Sequence, residues 1–299
     1  MSSITTAAGV RSSATKDDPP TVIQPVDAPE DPRIADYAHV GDPVWLREHG
    51  LFVAEGRLVV RRLLQSARFQ VRSLLVTPPA LQALADVVDG ARCPIYVCQQ
   101  HLLNGVTGFN FHRGCLAIAV RRDEDGPSLA ELSAAPRLLA LEGVGNPDNV
   151  GGLFRVAAAF GAAVLLGPGT GDPLYRKAIR TSMGAALQVP FRQVASWPSG
   201  LADLRAAGFG LVALTPDASV LPIDRFAASC MPDARLVLML GAEGAGLTSE
   251  ALRIADHRVR IPIAADVDSL NVVVAAAVAL AFLRGASTRE STCSLEAGR

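Results

Sequence analysis

The second half of the chain contains five short strand-like segments rich in apolar residues, separated by segments in which apolar residues recur at helical spacing. The strand-like segments occupy residues 138–141, 163–166, 211–214, 236–240 and 258–261. The helical patterns occupy residues 150–160, 175–185, 201–207 and 269–283. Strands that are apolar on both faces are typical of parallel sheets covered by helices on both sides. The sequence therefore predicts an α/β fold with a parallel sheet, whose ligands bind beyond the carboxyl ends of the strands.

Changes in composition along the 299 residues predict two domains with flanking segments. Residues 1–30 are polar and are expected to form a disordered leader. Residues 31–122 predict a small α/β domain, with strands at 52–56, 71–76, 94–98 and 114–120 and helices at 58–64 and 81–88. Residues 123–136 predict a polar linker, residues 137–286 the parallel-sheet domain, and residues 287–299 a tail.

Charge and cysteine content narrow the functional classes. The formal net charge of −1 rules out a basic field over the whole protein, so any nucleic-acid affinity must come from a local patch. The five cysteines have no CxxC spacing, which predicts reduced thiols, a cytoplasmic protein and no metal site. The longest apolar run, residues 272–283, is too short to span a bilayer and predicts a buried helix.

Three loops after strands carry the residues that suggest chemistry. In the first, Asn149 is expected to cap a helix whose free N–H groups attract an anion, with Arg155 one turn beyond Gly151. The alternative is a plain N-cap followed by a surface arginine. The second loop, residues 241–247, has three glycines and one carboxylate, Glu243, and its alternative is a simple turn. In the third, Asp268 or Ser269 is expected to cap the last helix, and capping alone is the alternative.

These loops together resemble the SpoU/TrmH branch of the SPOUT RNA methyltransferases. The family's first motif is matched by Asn149, Gly151 and Arg155, and its second by Gly241, Glu243 and Gly244. The third motif is matched by Ile261, Pro262, Ser269, Leu270, Asn271 and Val272, and residues 182–185 also look like the family. One departure is Val273, where many members carry serine. The residues before the linker resemble the family's substrate-binding domain, which is similar to a small ribosomal RNA-binding protein.

The resemblance implies an S-adenosylmethionine-dependent enzyme that methylates the 2′-hydroxyl of a ribose in structured RNA. It also implies a C-terminal trefoil knot, which physical reasoning would not propose because knots are nearly absent among folds. Backbone groups of Gly241, Ile261 and Leu270, with Thr215 nearby, are expected to hold the cofactor. The implied catalytic residues are Asn149, Arg155, Glu243, Ser269 and Asn271.

The role of Arg155 follows from the chemistry of arginine. A guanidinium group stays charged in proteins, so Arg155 is expected to clamp a phosphate and stabilise the developing alkoxide instead of acting as a base. Glu243, Ser269 and Asn271 are expected to position the ribose and the loops. The sequence does not indicate which group accepts the proton of the ribose hydroxyl.

RNA contacts are expected partly on the first domain, where arginines outnumber acids. The expected contacts are Arg57, Arg61, Arg62, His112 and Arg113, and the alternative is a solvated arginine face. Ribosomal RNA is favoured over transfer RNA as the substrate. A catalytically inactive RNA-binding protein of the same fold and a nicotinamide-dependent oxidoreductase are the rival interpretations, although the second lacks a GxGxxG motif after its first strand.

The last predicted helix, residues 269–283, is apolar nearly all round. A helix on one side of a sheet needs only one apolar stripe, so its other face must be covered. A second subunit is the simplest cover, and the resemblance independently implies a homodimer. Coverage by the chain's own knot is the alternative.

Overall fold

A computed structural model describes residues 22–111, 113–121, 126–194, 196–231, 233–264 and 266–288, and the structural statements below concern these residues. They form two units, each built around one sheet. The N-terminal unit comprises residues 22–121 and the C-terminal unit residues 126–288.

The N-terminal unit has a five-stranded mixed sheet in the order β1-β4-β3-β5-β2. Strands β1, β4 and β3 run parallel to one another, and β5 pairs antiparallel with both β3 and β2. Its strands are β1 (Val22–Pro25), β2 (Leu51–Glu55), β3 (Val71–Val76), β4 (Pro94–Val97) and β5 (Cys115–Val120). Its helices are a 3-10 helix (Pro32–His39), α1 (Pro43–Glu48), α2 (Arg57–Leu64), α3 (Pro78–Ala83), α4 (Ala85–Val88) and α5 (Gln100–Thr107).

The C-terminal unit has a seven-stranded sheet in the order β10-β12-β9-β11-β6-β7-β8, with every neighbouring pair parallel. Its strands are β6 (Arg137–Leu141), β7 (Ala163–Leu166), β8 (Phe191–Gln193), β9 (Phe209–Leu214), β10 (Leu221–Pro222), β11 (Arg235–Leu240) and β12 (His257–Arg260). Its α-helices are α6 (Leu129–Leu132), α7 (Pro147–Phe160), α8 (Arg176–Thr181), α9 (Ala202–Ala206), α10 (Ile223–Ser229), α11 (Ser249–Ile254) and α12 (Val272–Thr288), and short 3-10 turns lie at Ala185–Leu187 and Ser199–Leu201.

The central strands of this sheet consist mainly of apolar residues because both faces of the sheet are buried. Along β6, Leu139 and Leu141 face the core that contains α7 and α12, whereas Leu138 and Ala140 face the core that contains α9 and α11. The first of these cores continues into the N-terminal unit through α2. The predicted parallel α/β sheet is therefore present, with all five predicted strands in it.

The structure corrects the predicted leader and linker. Residues 22–25 of the expected leader form β1, which pairs with β4, and Val26 is buried behind it. A four-residue edge strand ending in proline gives too short a pattern to stand out in a polar segment. Within the expected linker, Ser128 and Glu131 form a capping box on α6, whose Leu132 is buried against the C-terminal unit. Residues 1–21 and 289–299 lie outside the described residues.

The predicted helix over residues 175–185 ends earlier than expected. Helix α8 stops at Thr181, because Met183 and Gly184 have φ angles of +54° and +84°. This left-handed pair turns the chain back toward the N-terminal unit and ends the helical hydrogen bonding.

The two units are joined through side chains near the end of α2. Arg62 Nη1 donates to the carbonyl oxygen of Met183 at 2.7 Å, and Ser66 Oγ donates to that of Leu187 at 3.2 Å. The Arg68 guanidinium lies 4.0 Å from the centre of the Phe191 ring, and burial lowers the pKa of Arg68 to about 10. An ion pair between Arg121 and Asp172 also crosses the boundary.

Helix α7 lies unusually close to its neighbours because of two successive glycines. A Cβ atom built on Gly151 would lie 2.6 Å from the carbonyl oxygen of Ala178, so any larger residue would push α7 away from α8. A Cβ on Gly152 would lie 2.7 Å from the Val273 side chain. The valine that departs from the family pattern is therefore accommodated by the glycine opposite it.

Candidate active site

A cleft of about 650 Å³ lies at the carboxyl ends of β9, β11 and β12. Thr215 follows β9, Gly241 follows β11, and Ile261 and Leu270 follow β12, and all four line this strand-end cleft. The structure thus brings the four expected cofactor residues to one cavity. Its size is that of a small-molecule site, and its lining combines apolar side chains with a few polar groups.

The wall of the cleft after β11 is the Gly loop, residues 241–247. Ala242 N donates to Gly246 O at 3.2 Å and Gly246 N donates to Ala242 O at 3.0 Å, which closes the loop into a tight hairpin. A Cβ atom on Gly241 would lie 2.1 Å from the carbonyl carbon of Gly246. Only glycine fits at position 241, because a side chain there would collide with the backbone at the other end of the same loop. Gly241 itself lines the cleft.

A buried carboxylate that the sequence reasoning missed fastens the far end of the Gly loop. Glu142, 5% exposed, directly follows β6. Its Oε2 accepts a hydrogen bond from Thr248 N at 2.8 Å, and its Oε1 accepts from Thr248 Oγ1 at 2.9 Å and from the Trp197 indole. The available signal was a single acidic residue directly after the apolar run 138–141. Because Thr248 also caps α11, Glu142 sets where the Gly loop ends.

Three expected catalytic residues are hydrogen-bonded to one another. Asn149 Nδ2 donates to Glu243 Oε1 at 2.6 Å, and Asn271 Nδ2 donates to the same oxygen at 3.2 Å and to Asn149 Oδ1 at 3.0 Å. Each residue comes from a different loop, so the triangle ties the start of α7, the Gly loop and the start of α12 together. Glu243, Asn271 and Ser269 line the strand-end cleft, and Asn149 lies behind it, 6% exposed.

Two predicted helix caps are wrong. Asn146, not Asn149, caps α7, since its Oδ1 accepts from Asp148 N at 2.9 Å. Asn149 sits in the first turn with its side chain turned inward. At α12, Asn271 accepts from Val273 N at 2.9 Å, so the cap is neither Asp268 nor Ser269.

The start of α7 is also not an open anion site, because it carries a carboxylate of its own. Asp148 accepts a hydrogen bond from Thr181 Oγ1 at 3.0 Å and pairs with Lys177 Nζ at 2.8 Å. These hydrogen bonds from Lys177 and Thr181 lower the pKa of Asp148. Further positive charge near this end of α7 lies on α8, which carries Arg176 and Arg180 besides the paired Lys177.

Arg155 stands apart from the other expected catalytic residues. It is exposed on α7, is not among the residues that line the strand-end cleft, and has no hydrogen bond or ion pair among the described residues. Its guanidinium is therefore free to meet a ligand that approaches from outside.

The expected RNA contacts divide into two groups. Arg57 and Arg113 are exposed. Arg61 pairs with Asp86 and donates to Ala83 O at 2.8 Å, and Arg62 joins the two units, so these two side chains are engaged within the protein. The arginine-rich face is thus smaller than predicted, because α2 uses two of its arginines for packing. His112 lies outside the described residues.

No helix in the described parts of the chain is long and apolar enough to cross a membrane. The same residues contain no group of three or more His, Cys, Asp or Glu side chains that could hold a metal ion.

Comparisons with known proteins identify relatives of this arrangement. The SpoU rRNA Methylase family model matches residues 136–281. An uncharacterized tRNA/rRNA methyltransferase of Mycobacterium tuberculosis is 43% identical over 263 residues, which cover 86% of this chain and 90% of the relative. A 23S rRNA (guanosine-2′-O-)-methyltransferase, RlmB, of a Burkholderia species is 32% identical, over 67% of this chain and 81% of that protein.

A solved structure agrees with these relatives. The AdoMet-bound rRNA methyltransferase of Sinorhizobium meliloti superposes with a TM-score of 0.70 at 25% identity, covering 88% of this chain and 98% of that one. These likenesses exclude the nicotinamide-dependent oxidoreductase as an interpretation. The match over the parallel-sheet unit, together with relatives that cover nearly the whole chain, shows that the chain belongs to the SpoU rRNA methylase family.

Proposed function

We propose that the protein is an S-adenosylmethionine-dependent methyltransferase that methylates a ribose 2′-hydroxyl in structured RNA, with ribosomal RNA favoured over transfer RNA. The observation that carries the proposal is the triangle of Asn149, Glu243 and Asn271 at the mouth of the strand-end cleft. It brings the three family motifs into contact beside a cavity of cofactor size. The Burkholderia relative is named for 2′-O-methylation of 23S rRNA, and the Sinorhizobium structure contains the same cofactor.

The strand-end cleft suits the cofactor on the evidence of its own walls. Gly241 places main-chain groups at the cleft wall, Ile261 and Leu270 provide apolar surface, and Thr215 adds a hydroxyl. These four residues would hold S-adenosylmethionine, which supplies a methyl group activated by its sulfonium charge. The residues of the cleft contribute alignment, a factor worth about 7–11 kcal/mol when two reactants are held in register.

The remaining motif residues act on the RNA in this proposal. Arg155, exposed and unpaired among the described residues, would bind a phosphate beside the target ribose and stabilise the oxygen as it loses its proton. Ser269 would orient the ribose at the cleft mouth, and Asn271, whose amide donates to Asn149 and Glu243, would hold the loops in place. Glu243, which accepts two hydrogen bonds from amide groups, is then a positioning residue, because its oxygen is already engaged.

The RNA would lie across both units. Arg57 and Arg113 of the N-terminal unit, expected together with His112, and Arg176 and Arg180 of α8 offer charge for phosphates. Residues 22–121 would serve as the substrate-binding domain, similar to a small ribosomal RNA-binding protein. We also propose that the segment from the Gly loop to α12 is threaded as a trefoil knot and that the enzyme acts in the cytoplasm.

Mapping of 2′-O-methyl groups tests the substrate. Deleting the gene should remove methylation at one nucleotide of ribosomal RNA, and purified protein with S-adenosylmethionine should restore it on that RNA. A lost site in transfer RNA instead would support the alternative substrate. Binding of RNA without methyl transfer to any cellular RNA would support the inactive RNA-binding protein and contradict the proposed enzyme.

A homodimer through α12 is part of the proposal. One face of α12 packs on α7 and α10, while Val274 and Phe282 on another face are 49% and 43% exposed. The described residues leave this apolar stripe uncovered, which favours a second subunit. Light scattering should give a mass near twice 31.3 kDa. Val274→Glu should produce monomers, whereas Met231→Glu, at a residue 68% exposed outside α12, should leave the mass unchanged. A monomeric wild-type protein at micromolar concentration would contradict the dimer.

A further inference from the structure

Three aromatic rings form a stack on the surface of the N-terminal unit. Trp45 lies between His39 and His49, with ring centroids 4.1 Å and 3.9 Å apart and interplanar angles of 13° and 18°. His49 is exposed, and His39 and Trp45 are partly buried. Trp45 has a histidine on each face, so the exposed His49 is the end of this ring stack that a ligand can reach.

The ring stack is held rigidly. Asp42 Oδ1 accepts from the backbone N–H groups of Val44 and Trp45, both at 3.0 Å, which fixes the start of α1. His49 Nδ1 lies 2.8 Å from the carbonyl oxygen of Trp45. A carbonyl oxygen only accepts, so Nδ1 carries the proton and the imidazole ring cannot turn freely. Buried Leu46 anchors the helix beneath the rings.

Helix α1, which carries Trp45, lies near the carboxyl edge of the C-terminal sheet. Helix α1 faces residues 172–176, which follow β7 at the carboxyl edge of the sheet, across a crevice lined by Leu46, Arg47, Asp172 and Arg176. The Arg176 guanidinium lies 4.9 Å from the centre of the Phe109 ring. The next residue, Lys177, pairs with Asp148, which precedes Asn149.

We propose that the ring stack is a platform for an unpaired nucleobase of the substrate RNA, outside the nucleotide that is methylated. The inference rests on the proposed function, since it assigns RNA to this surface. A base stacks on an aromatic face whatever its identity, and RNA-binding proteins use histidine as well as larger rings for this purpose. Arg47 of α1 and Arg176 of α8 line the crevice between the two units and offer positive charge for phosphates of the same strand.

Measurements of RNA affinity at several salt concentrations distinguish a contribution from base stacking from one due to phosphate contacts. The probe is ribosomal RNA purified from a strain that lacks the gene, titrated with the full-length protein at several salt concentrations. His49→Ala should weaken binding about fivefold, the lower end of the range for one base on one aromatic ring, without changing the salt slope. Arg57→Ala combined with Arg113→Ala should instead flatten that slope by about 0.7–0.9 for each lost phosphate contact.

Matched variants keep the test decisive. His49→Phe retains a ring face and should bind within about twofold of the wild type, and His101→Ala, an exposed histidine of α5, should have no effect. S-adenosylmethionine affinity should be unchanged in all three, and circular dichroism should show all three folded at the temperature of the binding assay. Wild-type affinity in His49→Ala, or a loss in His49→Phe equal to that in His49→Ala, would overturn the platform while leaving the methyltransferase intact. Absence of RNA binding by the wild type would overturn both proposals.

Discussion

Replacing Arg155 with alanine should reduce methyl transfer by about a hundred- to a thousandfold, the usual cost of removing a group that stabilises charge formed in the transition state. S-adenosylmethionine affinity should stay within a few-fold of the wild type, because Arg155 does not line the strand-end cleft. Stability should barely change, since the side chain is exposed and has no hydrogen bond or ion pair among the described residues. The measurements are single-turnover methyl transfer, calorimetric titration of the cofactor and thermal unfolding.

Arg253→Ala is the matched control for this variant. Arg253 is an exposed arginine on α11 and lies outside the family motifs, so its removal should leave turnover unchanged. Near-normal turnover in Arg155→Ala would show that the arginine is a surface residue only. A parallel loss of cofactor binding would show that it acts on the cofactor and not on the RNA.

Gly241→Ala should weaken S-adenosylmethionine binding by about five- to a hundredfold. The added methyl group would lie 2.1 Å from the backbone of Gly246, so the Gly loop must open to make room. Forcing one extra carbon into a packed site costs about 1–3 kcal/mol, which corresponds to that range of affinity. Calorimetric titration measures the affinity, and RNA binding should be preserved because the RNA contacts lie on other loops.

Gly105→Ala is the control for the glycine variant. Gly105 lies within α5 and a Cβ atom there would have no neighbour within 4 Å, so the change should be neutral or slightly stabilising. If Gly241→Ala binds the cofactor like the wild type, the Gly loop does not hold it through its backbone. Thermal unfolding of both variants separates a local opening of the loop from loss of the fold.

Much of the C-terminal unit follows from the sequence because burial on both faces leaves a strong signal. The segments 138–141, 163–166, 211–214 and 236–240 are apolar throughout, and each lies within a strand of the structure, β6, β7, β9 and β11 respectively. The strands β1, β8 and β10 have two to four residues and lie at or near sheet edges, where exposure permits polar residues and prolines. Short edge strands depend on a partner that sequence spacing does not reveal.

In the candidate site, too, some features could be predicted from the sequence and others could not. That residues 149, 243 and 271 would meet follows from the rule that loops after parallel strands share one edge. Which of two asparagines caps α7 does not follow, because Asn146 and Asn149 both have the right chemistry. The choice is made by Glu243, a partner 94 residues away from Asn149, which draws that side chain inward. Likewise, α2 arginines that look like an RNA surface are diverted by Asp86 and by the carbonyl oxygen of Met183.

The hydrogen bonds between the two units determine which positions at their boundary tolerate substitution. Arg62 and Ser66 donate to main-chain carbonyl oxygens of Met183 and Leu187, and every residue type supplies such an oxygen. A substitution at Leu187 therefore keeps its hydrogen bond as long as the backbone path is retained, whereas one at Met183 must also tolerate a φ angle of +54°. Homologous chains can therefore vary side chains on the C-terminal side of the boundary while the two units keep their relative orientation. Selection on that orientation should act mainly on the donors Arg62 and Ser66 and on the left-handed turn at Met183 and Gly184.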